Sequence, residues 1–172
     1  MIIKILEHDS NWAKMYSDEK VAIQQILQTE LVASFHIGST SVPNLKAKPI
    51  IDILLVVEDI VRLDTFAERF KELNYEVMGE FGMVGRRYYR KGGDQRTHQI
   101  HAFQADNLTE IGRHLLFRDF LRAHPTIRHK YGELKSSLAD AYPNDIDAYC
   151  DGKDQFVKET EQKAIHWHWK NR

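Results

Sequence analysis

The stretch HIGSTSVPNLKAKPIIDILLVV, His36 to Val57, decides the fold. Its second half, PIIDILLVV, is a continuous aliphatic, β-branched run, and reads as a strand buried on both faces. One acid, Asp52, interrupts it. An ionised carboxylate left alone in apolar surroundings costs several kcal/mol, so Asp52 must meet a cation, hydrogen-bond donors or water. The first half offers partners. An apolar run, VASFHI, stops at Gly38-Ser39-Thr40-Ser41. The glycine lets the chain bend and lets a ligand approach the backbone, and the three hydroxyls add donors. Lys46 and Lys48 follow and suit neutralisation of phosphate. The turn therefore reads either as an anion cradle or as a plain strand–loop turn with local Ser/Thr bonds. Asp52 reads as facing Lys48, the Ser39 or Thr40 hydroxyl, or a divalent metal held together with ligand phosphates. A structural ion pair is the alternative.

Outward from this stretch, SNWAKMYSDEKVAIQQILQTEL reads as a helix capped by Asp9 or Ser10. Trp12, Met15, Tyr16, Ile23, Ile26 and Leu27 form its apolar stripe, with Val21 off the rhythm. DIVRLDTFAERFKELNY reads as a second helix, starting near Asp59, with Leu63, Phe66, Ala67, Phe70 and Leu73 inward. YEVMGE is a short strand. GRRYYRKGGDQRTHQIHAFQ is a hairpin turning at KGGD. After Asn107 the pattern becomes helical: LTEIGRHLLFRDFLRAHP, stopped by Pro125; PTIRHKYGELKSSLADAYP, with Pro125 in its first turn; and KDQFVKETEQKAIHWHWKNR. The expectation is an α+β fold in one domain, residues 1–172. Residues 1–107 would form a small mixed β-sheet flanked by helices, and 108–172 a C-terminal helical extension.

Composition excludes several function classes. The 172 residues are 42% hydrophobic and 28% charged, ordinary for a globular domain large enough for its own core. The net charge of −1 gives no support to nucleic acid as partner. A single cysteine, Cys150, allows no internal disulfide and no cysteine-based zinc site. No apolar run approaches a membrane span, and the N-terminus lacks a signal-peptide core. No membrane partner is expected, and a cytoplasmic location is.

His98 and His101 lie three apart on the predicted hairpin strand, so they fall on opposite faces unless the strand ends or bulges near His98. If His101 shares the face of Asp52, the two could form a mixed imidazole–carboxylate site favouring Zn²⁺, Mn²⁺ or Fe²⁺ over Mg²⁺, with His36 as a candidate third ligand. His101 could equally act as a base, or be a core histidine. Arg86, Arg87 and Tyr88 on the hairpin suit phosphate and base contacts, or a charged sheet edge. Arg118 and Arg122 share one helix face and read either as ligand contacts or as helix–helix ion pairs.

The Gly-Ser turn, a spacer of about a dozen residues and an acid within a strand together resemble the nucleotidyltransferase superfamily. More specifically, HIGSTSVPNLKAKPIIDILLVV, THQIHAF, ADN…RHLLFRDFLRAHP, YGELKSSLA and YCDGKDQFVKE resemble the GrpB family across nearly the whole chain. A GrpB-like module also occurs fused to dephospho-coenzyme A kinases. The resemblance implies a nucleotidyltransferase-like fold in which the turn, here Gly38, Ser39 and Thr40, holds nucleotide phosphates. It also implies acids at alternate strand positions that bind two metals, with a third acid from a later strand. Asp52 matches the first. Leu54 stands where the second is expected, and THQIHAFQ contains no acid. The expectation is a protein binding a nucleotide or other phosphorylated small molecule, with Mg, Mn or Zn as candidate metals. Asp52, His98 and His101 are the candidate metal ligands. Asp52 and His101 are the candidate catalytic pair. Gly38, Ser39, Thr40, Lys48, Arg86, Arg87, Tyr88 and Arg118 are the candidate phosphate contacts. The function would be nucleotidyl transfer at an acid-depleted site or, alternatively, non-catalytic binding at a vestigial one.

Overall fold

The structure is a computed structural model and describes residues 2–172. Five strands form one sheet: β1 Leu31–Ile37, β2 Ile51–Val57, β3 Tyr75–Val77, β4 Arg86–Lys91 and β5 His98–Gln104. Their spatial order is β1-β2-β5-β4-β3. β2 and β5 run parallel, and the remaining neighbours are antiparallel. Five helices surround the sheet: α1 Asn11–Leu27, α2 Ala67–Glu72, α3 Leu108–Ala123, α4 Pro125–Ala141 and α5 Ile146–Lys170. This is the mixed α+β arrangement expected from the sequence.

β2 is apolar throughout because it is covered on both sides. Ile51, Ile53, Leu55 and Val57 point to one face, where they join Ile100, Ala102 and Tyr89 against Trp12, Ile23 and Leu27 of α1 and Phe70 of α2. Leu54 and Val56 point to the other and meet Ile37, Phe103 and, from α3, Ile111. Each such side chain, fully buried, contributes about 1.5–3 kcal/mol. Alternation puts Asp52 on the Leu54 face.

The Asp9 carboxylate, rather than Ser10, caps α1, accepting the Asn11 N–H at 2.8 Å. Val21 is exposed, as its broken spacing suggests. The second helix is shorter than its pattern. Arg62–Phe66 form a tight 3-10 turn, in which the Thr65 hydroxyl donates to the Arg62 carbonyl, and regular helix covers only Ala67–Glu72. The hairpin turns at Gly92-Gly93, both with positive φ. The last helix is longer than its pattern: it begins at Ile146, capped by Asp145, and runs through Gly152. A side chain at Gly152 would run into Leu138 of α4, so the glycine permits close α4–α5 contact and is no helix end. Among the described residues no helix is long and apolar enough to cross a membrane.

Two histidines are built into this fold in the neutral form. His36 of β1 stacks on Tyr16 of α1 and shares a 2.9 Å hydrogen bond with Thr40. Burial, reinforced by Arg122 and Arg118, lowers its pKa to about 4 although Asp52 pulls the other way. His114 of α3 is lowered to about 3 by burial and by the neighbouring His101, Arg113 and Arg86. The unfolded chain, with histidine near pKa 6.5, binds protons first. Stability is therefore complete above pH ~6.5 and is lost as pH falls toward 4, by roughly 2 kcal/mol per histidine at pH ~5. Urea titrations between pH 7 and 5 should show this loss, reduced by about half in His36→Gln. An equally steep loss in that variant would remove His36 as a cause.

Candidate functional site

Asp52 sits near the start of β2, opposite Ile37 of β1 and Gln99 of β5. Its carboxylate is half-buried and well supplied with donors. His101 Nε2 lies 3.2 Å from Oδ1. The Gln99 amide, oriented by its neighbours, donates to the same oxygen at 3.0 Å, while its carbonyl accepts from Arg96 at 3.3 Å. The second oxygen, Oδ2, lies over Gly38. A Cβ at position 38 would stand 2.7 Å from it, and Gly38 has φ +72° and ψ −174°, a region that only glycine occupies without strain. Two independent constraints thus require glycine here.

The turn that follows is tight. The Ser41 N–H and hydroxyl both donate to the Gly38 carbonyl, and the Val42 N–H donates to the Ser39 carbonyl. α3 clamps it from outside. Arg122 donates to the Ser41 carbonyl from Nε (3.1 Å) and Nη2 (2.8 Å), and Arg118 Nη1 donates to the His36 carbonyl at 3.2 Å. Arg118 thus positions the turn through its backbone.

Ser39, Thr40, Lys48 and Asp52 line one cavity of about 110 Å³ together with Ile50, Gln99, Lys135, Tyr149 and Lys153. Lys135 of α4 is 2% exposed and donates to the Ser39 hydroxyl at 2.7 Å. Lys48 and Lys153 flank the Tyr149 ring, their ammonium nitrogens 5.0 and 5.4 Å from its centre. Lys135 rests 4.5 Å from the Tyr131 ring centre. Lys14, Lys46, Lys71, Lys91 and Lys158 pair with carboxylates, whereas Lys48, Lys135 and Lys153 pair with none among the described residues. Burial and the adjacent lysines push Lys135 well below the usual lysine range, and Lys48 is lowered for the same reasons. Burial also works against the Lys153 ammonium, but Tyr131, Cys150 and Asp52 outweigh it and raise its pKa. The Tyr149 hydroxyl, on a fully buried residue, has no hydrogen-bond partner.

Other expected residues lie elsewhere. His98 is on the opposite sheet face, bonded to Thr97 and 3.6 Å from Glu19, because its register partner is Ile51. It is not placed to share a metal with Asp52, and neither is His36, whose ring also faces α1. His101 does share the face of Asp52. One of its nitrogens is on Asp52, and the other, Nδ1, is buried without a partner as the ring packs by Tyr88 and His114. Neither nitrogen opens on the cavity, so His101 holds Asp52 in place and is not positioned as a base for a ligand there. Arg87 crosses to Asp64 on the far face. Arg86 donates to the Glu80 and Phe81 carbonyls and lies over the Tyr88 ring, which Phe81 covers. None of these three lines the cavity. The Thr40 hydroxyl is spent on His36 and the Ile50 carbonyl.

The metal centre implied by the superfamily resemblance does not fit these residues. Leu54 is fully buried in an apolar cluster, Gln99 stands opposite Asp52, and three lysines occupy the space around one carboxylate. No group of three His, Cys, Asp or Glu side chains among the described residues is arranged to hold a metal ion.

A family model described as GrpB protein matches residues 2–163. The chain belongs to the GrpB family. It is 44% identical over 165 residues to UPF0157 protein YqkA of Bacillus subtilis (strain 168), covering 96% of this chain and 48% of YqkA. The chain thus spans about half the length of that relative. It is 35% identical over 162 residues to the glutamate-rich protein GrpB of Alkalihalophilus pseudofirmus, covering 90% of this chain and 91% of that one. The crystal structure of conserved protein GrpB from Enterococcus faecalis superposes with a TM-score of 0.94 at 48% identity, over 96% of this chain and 99% of that one. A more distant likeness, 27% over 159 residues, is to a dephospho-CoA kinase of Mycobacterium leprae, covering 77% of this chain and 39% of the kinase. The GrpB expectation from sequence is thereby shown.

Lys135 and Lys153 were not among the residues expected to bind ligand. Both lie in motifs shared with the GrpB family, YGELKSSLA and YCDGKDQFVKE, and both interrupt apolar helix faces: Tyr131–Lys135–Ala139 and Tyr149–Lys153–Phe156. A charge on an inward stripe was the available signal.

Gly38→Ala should cost about 2 kcal/mol or more, combining unfavourable φ with the Asp52 contact. Combined with Asp52→Ala, its penalty should shrink by roughly 1 kcal/mol in a double-mutant cycle measured by chemical denaturation. Strict additivity would mean that Asp52 is not what excludes a side chain at position 38.

Proposed function

We propose that this GrpB-family protein binds a nucleotide or another phosphorylated small molecule, with a phosphate group seated among Ser39, Lys48, Lys135, Lys153 and Tyr149. One observation carries the reading: three lysines without carboxylate partners line one small cavity together with Tyr149, whose hydroxyl is buried without a partner. Buried charges are ordinarily paired. A cluster of like charges held close together is unfavourable until an anion enters, and a phosphate would satisfy the ammonium groups and the hydroxyl at once. The distant likeness to a dephospho-CoA kinase supports a phosphate-bearing ligand. Binding is favoured over nucleotidyl transfer, because Leu54 stands where a second acid would be needed and β5 carries no acid.

Such a site is maintained against the stability of the fold. Replacing a buried amine that has one hydrogen bond by a thioether of similar length removes a desolvation cost. Lys135→Met should therefore melt higher than wild type without ligand, by about 1 kcal/mol in stability. It should lose the stabilisation that ligand confers, which for wild type reaches about 2.7 kcal/mol at a hundred times Kd. Tyr149→Phe should fold normally and bind about tenfold more weakly. Thermal melts with inorganic phosphate, pyrophosphate and the nucleoside triphosphates check this. No stabilisation of wild type by any of them would sink the reading.

A further inference from the structure

The identity of the bound form follows from charge and space, given the phosphate site proposed above. We propose that the site takes a phosphomonoester as the metal-free dianion, with Lys48, Lys135 and Lys153 supplying the positive charge that divalent cations would otherwise bring.

Three ammonium groups and the Asp52 carboxylate leave two positive charges around the cavity when all are ionised, the complement of one phosphate dianion. A divalent cation entering the same space would meet those three ammonium groups and a single carboxylate, one of whose oxygens already accepts from His101 and Gln99. At these separations and low effective dielectric, like charges repel strongly. The cavity, about 110 Å³, has room for a tetrahedral phosphoryl group among the three lysines.

The rest of the ligand has a place. A second cavity of about 480 Å³ shares Lys48 and Ile50 with the first. Ile2, Ile3 and Pro49 give it an aliphatic wall, and Asp94, Arg96 and Thr97 a polar one. An ester oxygen leaving the phosphoryl group past Lys48 would lead an amphiphilic organic group into this space, where a free phosphate ion would leave it unused.

Asp52 then has an unusual role. It is the like charge beside the bound phosphate, restraining affinity and holding the lysines together when the site is empty. This separates the proposal from a metal-dependent site, where the same carboxylate would be essential for binding.

The test is titration calorimetry near neutral pH with inorganic phosphate and phenyl phosphate, in EDTA and then in millimolar Mg²⁺. Both ligands should bind wild type in EDTA, phenyl phosphate about tenfold more tightly, and Mg²⁺ should change either Kd by less than about twofold. Asp52→Asn, which keeps the shape of the side chain and an acceptor for His101, should tighten both by about three- to tenfold. Lys153→Met should weaken both at least tenfold. Binding that requires Mg²⁺ and disappears in Asp52→Asn would overturn this proposal and leave the phosphate-binding function standing. Equal affinity for the two ligands would overturn the ester assignment. No binding of either ligand to wild type in any condition, with the protein folded by circular dichroism, would overturn the phosphate site itself.

Discussion

The bond from the Lys135 ammonium to the Ser39 hydroxyl joins two regions that are 96 residues apart in the chain. It can exist only if α4 lies against the turn between β1 and β2, and that placement needs the other contacts around it. Arg118 and Arg122 hold the turn's carbonyls from α3. α4 packs at Gly132 against Leu45 and Lys46. Gly152 lets α5 approach α4 and bring Tyr149 and Lys153 to the same cavity. The C-terminal helices thus line half of the cavity, and the sheet with its turn lines the other half. The division of the chain at residue 107 follows a change in periodicity and does not divide the cavity.

Much of this was legible in the sequence because it rests on local rules. PIIDILLVV could be read as a two-sided strand from its unbroken apolar run, and Gly92-Gly93 as a hairpin turn from its need for positive φ. Strand alternation correctly separated His98 from His101 and allowed His101 to join Asp52. The Gly38–Asp52 contact was not among the expectations and depends on strand pairing. A glycine ending one strand and an acid near the start of the next, antiparallel strand are brought together by the register Ile37↔Asp52.

The lysines were harder to read for a physical reason. Their role depends on which helix face is buried, and against what, and that is settled by tertiary packing. Glycine costs about 1 kcal/mol in an isolated helix, so Gly152 carries no local signal of continuing helix. Placing the start of α5 after it hid the one-turn spacing of Tyr149 and Lys153. The hairpin arginines misled in the opposite sense. Their chemistry suited phosphate, but Arg87 is drawn to Asp64 and Arg86 to the carbonyls of its own loop, nearer partners that composition does not reveal.

The site reverses the electrostatics that its Gly-Ser turn and strand acid suggest. An acid-rich centre gathers cations and, through them, phosphate. Here one acid remains, its Oδ1 accepting from His101 and Gln99 while Oδ2 lies over Gly38. The positive charge comes from side chains of helices that join the sheet late in the chain. Lysine ammonium groups differ from metal ions in that burial can discharge them. Lys135 is shifted down by burial and by the neighbouring Lys153 and Lys48, so the fold itself works against a full set of charges in the cavity. A divalent ion has no such option, and a cavity built around one would need its acids always in place. The single acid and the three lysines around the cavity are therefore two sides of one electrostatic arrangement. Leu54, fully buried beside Val56 and Phe103, serves the core at no electrostatic cost.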